Sequence, residues 1–251
     1  MWEFTIIIDQ NKKEIAKNIY YKIKAFSTGY NNIVSFYEMQ NEIYINCACD
    51  SLESFRYKSF LEEVLIEVFC EMYKKQFLLE NLYFKEFDDV STEAFLQALL
   101  YFDRETDRYL VSKYLHLEKQ INLDGFFNFK LKTLREKWYE LVGIANDNQM
   151  YLYSDDTFME LIKFLVDNIE FRCDVVNIVG QDNGYIITNS DFEEIDFNEQ
   201  YENNDKNLIS SLISLCPKNI NIYCSDMLSN QVTKLICCLF EKRVKFLTKV
   251  N

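Results

Sequence analysis

The chain has 251 residues, 49% of them hydrophobic and 16% aromatic, and a formal net charge of −13. That length and apolar share exclude a disordered chain and suffice for a buried core, while the charge opposes general affinity for nucleic acid or anionic lipid. No apolar run reaches the roughly 18 residues of a membrane span, and the start, Met1-Trp2-Glu3-Phe4, lacks the regions of a signal peptide, so the protein is expected in the cytoplasm with no membrane partner.

Five glycines and a single proline, Pro217, leave little punctuation and predict long helices with short connections. The first fifty residues read β-α-β-β. Phe4 to Ile8 form a short β-branched run, and Ile15, Ile19, Ile23 and Phe26 recur at helical spacing. Gly29 and Asn31-Asn32 break the chain before two strand-like runs, Ile33 to Tyr37 and Ile43 to Cys47, which flank Gln40-Asn41 as a hairpin would.

From Asp50 the pattern is helical for over a hundred residues. Asp50 with Glu53 resembles a capping box ahead of Phe60, Val64, Leu65 and Val68. Ser91 is the expected cap of a helix carrying Phe95, Leu99 and Phe102. A third helix is predicted from about Asp124, with Phe127, Leu131, Leu134, Trp138 and Leu141 inward. Ser154, with Asp155 and Asp156, opens a fourth whose core face is Phe158, Leu161, Ile162, Leu165 and Ile169.

The last third returns to strands. Val175 to Val179 and Tyr185 to Thr188 flank Asp182-Asn183-Gly184, a hairpin signal. Asp191 to Asp205 holds seven carboxylates and no Lys or Arg, the pattern of a solvated loop. A helix with Leu208, Ile209, Leu212 and Ile213 follows, then a strand from Ile220 to Cys224, a helix from Ser229 to Lys242 and a strand from Val244 to Leu247. This β-α-β order implies adjacent parallel strands. The fold class expected is α+β: a helical central region, with strands from the N-terminal β-α-β-β and from a C-terminal hairpin plus β-α-β unit in a mixed sheet. Residues 1–50 form one segment. Residues 51–251 form the helical region and C-terminal mixed segment, packed as one or two contiguous domains.

No catalytic, metal or cofactor motif is recognisable, so no cofactor is expected. The eight cysteines include no C-x-x-C, and with one histidine they read as reduced, buried thiols rather than disulfides or zinc ligands. That histidine, His116, sits on an apolar helical edge and reads as packed or exposed rather than as a base. Asp103 and Asp107, like Arg104 and Arg108, are four apart, the spacing of helix-surface ion pairs. Asp226, after the Ile220 strand, occupies the crest where a parallel α/β unit binds ligands, but no glycine is present there and Ser229 reads as a plain N-cap. The helix from Asp124 carries the candidate interaction surface. Asn128, Lys132 and Arg135 fall on one face with Lys130 and Lys137 flanking, four basic residues against Glu136 alone between Phe126 and Trp138. A solvated helix face is the plain reading; a surface for an acidic partner or an anion is the sharper one.

Leu123-Asp124-Gly125-Phe126-Phe127-Asn128-Phe129-Lys130-Leu131-Lys132 resembles the L-D-G-F-x-N-F-R/K-L-K segment of the YtxC-like sporulation proteins of endospore-forming Firmicutes. Phe164-Leu165-Val166-Asp167 resembles a helix end of that family. Leu208 to Ile220 is similar to its L-I-S-T-L-I-T-L-A-P-x-x-I segment, and Arg243-Val244 sits where its closing strand begins. The resemblance runs from about Asp103 to Leu247. Two places depart from it: Tyr153 to Phe158 replaces an E-K-E-Y-like run, and Asn177 stands where histidine is frequent. The resemblance implies a sporulation-linked context and no mechanism. Together with the missing catalytic constellation, it leads to a non-enzymatic cytoplasmic protein that binds an unknown protein partner and no nucleic acid. The alternative is an enzyme or sensor for a small anionic or phosphorylated ligand.

Overall fold

A computed structural model describes residues 1–27, 32–83, 88–151, 155–181, 184–195, 204–223 and 228–247 of the chain. Two compact units result, Met1–Asn81 with Arg104–Val142 and Leu82–Asp103 with Gly143–Asn251. Each contains its own four-stranded mixed sheet and helices, so the α+β class holds, with one sheet from each end of the chain.

In the first unit, β1 (Trp2–Asp9), α1 (Lys13–Ser27), β2 (Asn32–Met39) and β3 (Glu42–Cys49) are the expected β-α-β-β. β2 and β3 pair antiparallel across Gln40-Asn41, where Gln40 takes a left-handed φ of 57°. β1 pairs antiparallel with β3 and parallel with a strand that sequence periodicity missed, β4 (Gln120–Asn122), giving the order β2-β3-β1-β4. Three residues are too few to display a period of two. Alternation puts Phe4, Ile6 and Ile8 of β1 on the same face as Ile43, Ile45 and Cys47 of β3, all buried. On the other face, Thr5 Oγ1 donates to Asn46 Oδ1 (2.9 Å), Tyr37 stacks on Tyr44, and Ile33, Tyr37 and Met39 are exposed.

The helices of this unit are α2 (Ser54–Val68), a π turn at Phe69–Tyr73, α3 (Lys74–Asn81), α5 (Arg104–Tyr114), α6 (Leu123–Phe129) and the start of α7 (Lys132–Tyr151), with α4 (Asp89–Tyr101) belonging to the second unit. Three sequence expectations fail here. Asp50 and Glu53 form no capping box: Glu53 makes no side-chain cap bond, and the Asp50 carboxylate accepts Leu52 N–H (3.1 Å). Asp88, not Ser91, caps α4, accepting the N–H groups of Val90 and Ser91 at 3.0 Å. The single helix expected from Asp124 is two helices, because both Lys130 N–H (2.8 Å) and Leu131 N–H (3.2 Å) turn back to Phe126 O while buried Leu131 passes inward.

The second unit pairs β5 (Cys173–Gln181) antiparallel with β6 (Gly184–Thr188) and parallel with β7 (Pro217–Tyr223), which pairs parallel with β8 (Val244–Leu247). The hairpin and the adjacent parallel strands are therefore as expected; Asp182 and Asn183 of its turn lie outside the described residues. α9 (Asp205–Leu215) and α10 (Asn230–Phe240) are capped by Asn204 and Ser229, and Leu208, Ile209, Leu212 and Ile213 are buried as expected. α8 (Asp155–Asp167) buries Phe158, Ile162 and Leu165, its proposed cap Ser154 being outside the described residues. Across one face of the sheet runs a polar row. Asn221 Nδ2 donates to Asn177 Oδ1 (2.9 Å), and Asn177 Nδ2 donates to Asn189 O (2.6 Å). Asn177 is thus a buried and bonded strand residue.

Candidate functional site

The α6–α7 corner is built from β4 upward. Asn122 caps α6, its side-chain oxygen accepting Gly125 N–H at 2.7 Å. A Cβ on Gly125 would lie 3.2 Å from that oxygen, so a glycine suits this first turn. Asp124, beside it, accepts from Asp9 N–H (3.0 Å), Lys12 Nζ (2.5 Å) and the Tyr73 hydroxyl (3.1 Å). These bonds anchor α6 to the end of β1 and to the π turn. Burial, with the Asp124 carboxylate second, pushes the Tyr73 phenol well above its usual range, so it stays a donor.

The chain turns at Lys130-Leu131, and Leu131 O accepts Arg135 N–H (3.0 Å) to open α7. Arg135 Nη1 donates to Asn128 O (3.0 Å) while its guanidinium lies over the Phe127 ring, 5.6 Å from the centroid. Asn128 and Arg135 therefore meet across the corner instead of sharing one helical face. Lys132 is exposed and pairs with Glu136 at 3.5 Å; Lys130 is exposed and makes no ion pair among the described residues. Phe129, immediately before Lys130 in sequence, is 83% exposed.

The fourth basic residue of this stretch, Lys137, turns inward. Its Nζ donates to Asp107 Oδ1 (2.7 Å), and Lys74 Nζ donates to Asp107 Oδ2 (2.7 Å); Lys74 and Asp107 are both 0% exposed. Burial lowers the Lys74 pKa, opposed by the Asp107 charge. Alongside, Arg104 pairs with Glu67 and Glu71, and Arg108 with Glu63 and Glu67. The surface ion pairs expected within one helix are thus bridges between helices, and Asp103 sits before α5 with a left-handed φ of 51°. Arg104, Asp107 and Val111 fall at i, i+3 and i+7, so the helical period already placed Asp107 on the buried Val111 face. The cluster leaves no room for a reactant beside Lys74 and works as a structural ion pair.

His116 is exposed and follows the end of α5, not on a helical edge. Cys47, Cys49, Cys70 and Cys216 are buried as free thiols, whereas Cys173 and Cys237 are half-buried and Cys238 is exposed, against the burial expected of them; burial pushes Cys47 and Cys70 up to about 12. Such thiols are poor nucleophiles at neutral pH. Asp226, Cys224 and most of the acidic stretch lie outside the described residues. Among the described residues no group of three His, Cys, Asp or Glu could hold a metal ion, and no helix is long and apolar enough to cross a membrane.

The model of the YtxC-like family matches residues 85–245, more than half of the chain. It takes in α4 to α10 and the whole α6–α7 corner, and leaves out β1 to β3 and α1 to α3. No curated protein and no solved structure matches.

Proposed function

We propose, from the premise that this chain belongs to the YtxC-like family, that it is a cytoplasmic sporulation-associated protein that acts by binding another protein rather than by catalysis. The α6–α7 corner is the surface it presents. One observation carries this reading: Phe129 is 83% exposed on a corner held by buried Leu131 and by the Arg135–Asn128 bond. An aromatic anchor on a pre-ordered support is the usual centre of a protein interface. Asn128, Lys130 and Lys132 surround it with polar groups, which fits a partner offering an apolar pocket with an acidic rim. The net charge of −13 opposes a nucleic-acid partner.

A photo-crosslinking amino acid in place of Phe129, in cells entering sporulation, is expected to capture one protein and to lower spore yield by itself. Phe129→Ser with Lys130→Glu should leave the fold intact and abolish capture from a crosslinker at Asn128. Unchanged spore yield and unchanged capture in that double variant would overturn the proposal. Saturable shifts of the corner's amide resonances with inorganic phosphate would replace it by the anion-ligand reading.

A further inference from the structure

We infer that the first unit has a second docking surface: the free edge of β2, with the adjoining flank of α1, takes an extended acidic peptide as a fifth strand. Among the described residues β2 is an outer strand of its sheet, eight residues long and without proline, and alternate backbone N–H and C=O groups pair with no other described strand. The side chains of Ile33 and Tyr37 are 68% and 43% exposed on the face away from the buried core.

α1 supplies the charge. Ile15, Ala16, Ile19 and Ile23 are buried, and Phe26 stacks on Phe60 of α2, which fixes that flank. Lys13, Lys17, Tyr20 and Lys24 fall at i, i+4, i+7 and i+11 on the opposite flank. Tyr20 packs on Phe36 of β2 (5.5 Å) and Lys13 Nζ bridges to Glu38 of β2 (2.6 Å), so this stripe borders the edge strand. Lys17 and Lys24 are exposed and make no ion pair among the described residues. Of the five lysines between Lys12 and Ser27, Lys12 pairs with Asp124 and Lys13 with Glu38, which leaves Lys17, Lys22 and Lys24 against Glu14, in a chain of net charge −13.

The local sign selects an acidic ligand, and the edge selects an extended one. Side chains of an added strand alternate between faces, so one set meets the lysines of α1 and the other set meets Ile33 and Tyr37. The ligand is therefore a segment in which acidic and apolar residues alternate. A long polyanion or a lipid surface fits less well, because either would also meet the negative field of the whole molecule, and the apolar stripe of α1 is already buried. The surface lies outside residues 85–245 and is independent of the α6–α7 corner.

The test uses the full chain and a fluorescent, end-blocked eight-residue peptide in which glutamate alternates with valine. Binding by anisotropy should be saturable and weaken at least ~10-fold between 0.05 and 0.5 M salt, as expected for charge-assisted pairing. Lys17→Glu with Lys24→Glu should reverse the preference toward a lysine–valine peptide. Methylating the peptide's alternate backbone nitrogens on one edge should weaken binding at least ~10-fold, with the protein unaltered. Equal binding of the methylated peptide overturns strand addition, and equal binding of the lysine peptide overturns the charge selection. No saturable binding, with a dimer in sedimentation broken by Glu38→Pro, whose N–H faces the free edge, would give the edge to a second copy and overturn the proposal.

Discussion

Two buried residues, Lys74 and Asp107, carry more energetic weight than any charge on the surface. Asp107 serves two lysines, and an ammonium with no exposed area is stable only while its counter-charge is present. Asp107→Asn is expected to cost about 3–5 kcal/mol in urea unfolding, because it leaves Lys74 buried and uncompensated. Lys74→Met with Asp107→Leu should recover most of that loss, since Lys137 is partly exposed and can return to water. A double variant as unstable as the single would mean that packing, not charge, decides the site. The thiols give a pH dependence. Burial pushes Cys47 and Cys70 from about 9 up to about 12 in the folded chain. Each folded-state pKa is raised, so above pH ~9 the unfolded chain has lost protons that the folded chain keeps, and stability falls as pH rises. Two such groups contribute about 2.7 kcal/mol per pH unit between roughly 9 and 12. Buried Lys74, with its lowered pKa, works in the opposite sense, so the measurement is a difference. Cys47→Ala with Cys70→Ala should unfold in urea with a less negative slope of stability against pH from 9 to 10.5 than the parent chain, and parallel slopes would contradict it.

At the scale of elements, the α6–α7 corner depends on one close approach and one buried ring. Gly125→Ala places a methyl 3.2 Å from the Asn122 oxygen that caps α6, and loss of that cap should cost about 1 kcal/mol. Trp138→Ala should cost about 3–5 kcal/mol, because a fully buried indole packed on Phe77 and Phe127 leaves a cavity. Lys132→Ala, by contrast, should change stability by less than ~0.5 kcal/mol, its pair with Glu136 being exposed. Thermal or urea unfolding of the three variants checks the ranking, and a Lys132→Ala cost above that of Gly125→Ala would reverse it. Of the core stripe read from spacing, Leu131, Leu134 and Trp138 are buried, while Phe127 and Leu141 are only half-buried. The break after Phe129 was not legible, since no glycine or proline marks it and only the inward pull of Leu131 explains it. Phe129 already lay off the inward stripe in the helical spacing, but its full exposure follows only from the end of α6 beside it.

Over the whole molecule, the pairings of β2 with β3, β5 with β6 and β7 with β8 followed from local patterns, whereas those of β1 with β3, β1 with β4 and β5 with β7 did not. The pairing of β1 with β4 joins residues more than a hundred positions apart, and no local signal announces it. The same holds for the ion network: Arg104 and Arg108 were visible as charges four apart, while their partners Glu63, Glu67 and Glu71 lie on another helix and in the π turn after it. What composition does foretell is the balance of long-range charge. With 40 acidic against 27 basic side chains, self-repulsion opposes the compact state. Added salt screens that repulsion over the ~10 Å reach of exposed charges at 0.1 M. It also weakens the exposed pairs, such as Lys206–Asp89 and Lys218–Asp174, but each of those contributes little. The buried Lys74–Asp107 pair is shielded from the solvent ions and should be unaffected. The repulsive term therefore dominates the response. Raising sodium chloride from 0.02 to 0.3 M at pH 7 should stabilise the chain by roughly 1 kcal/mol, which for a protein of this size raises Tm by about 2–4 °C. A Tm that falls over that range would show that exposed ion pairs outweigh the net charge, and would move the electrostatic account of this fold from its composition to its surface.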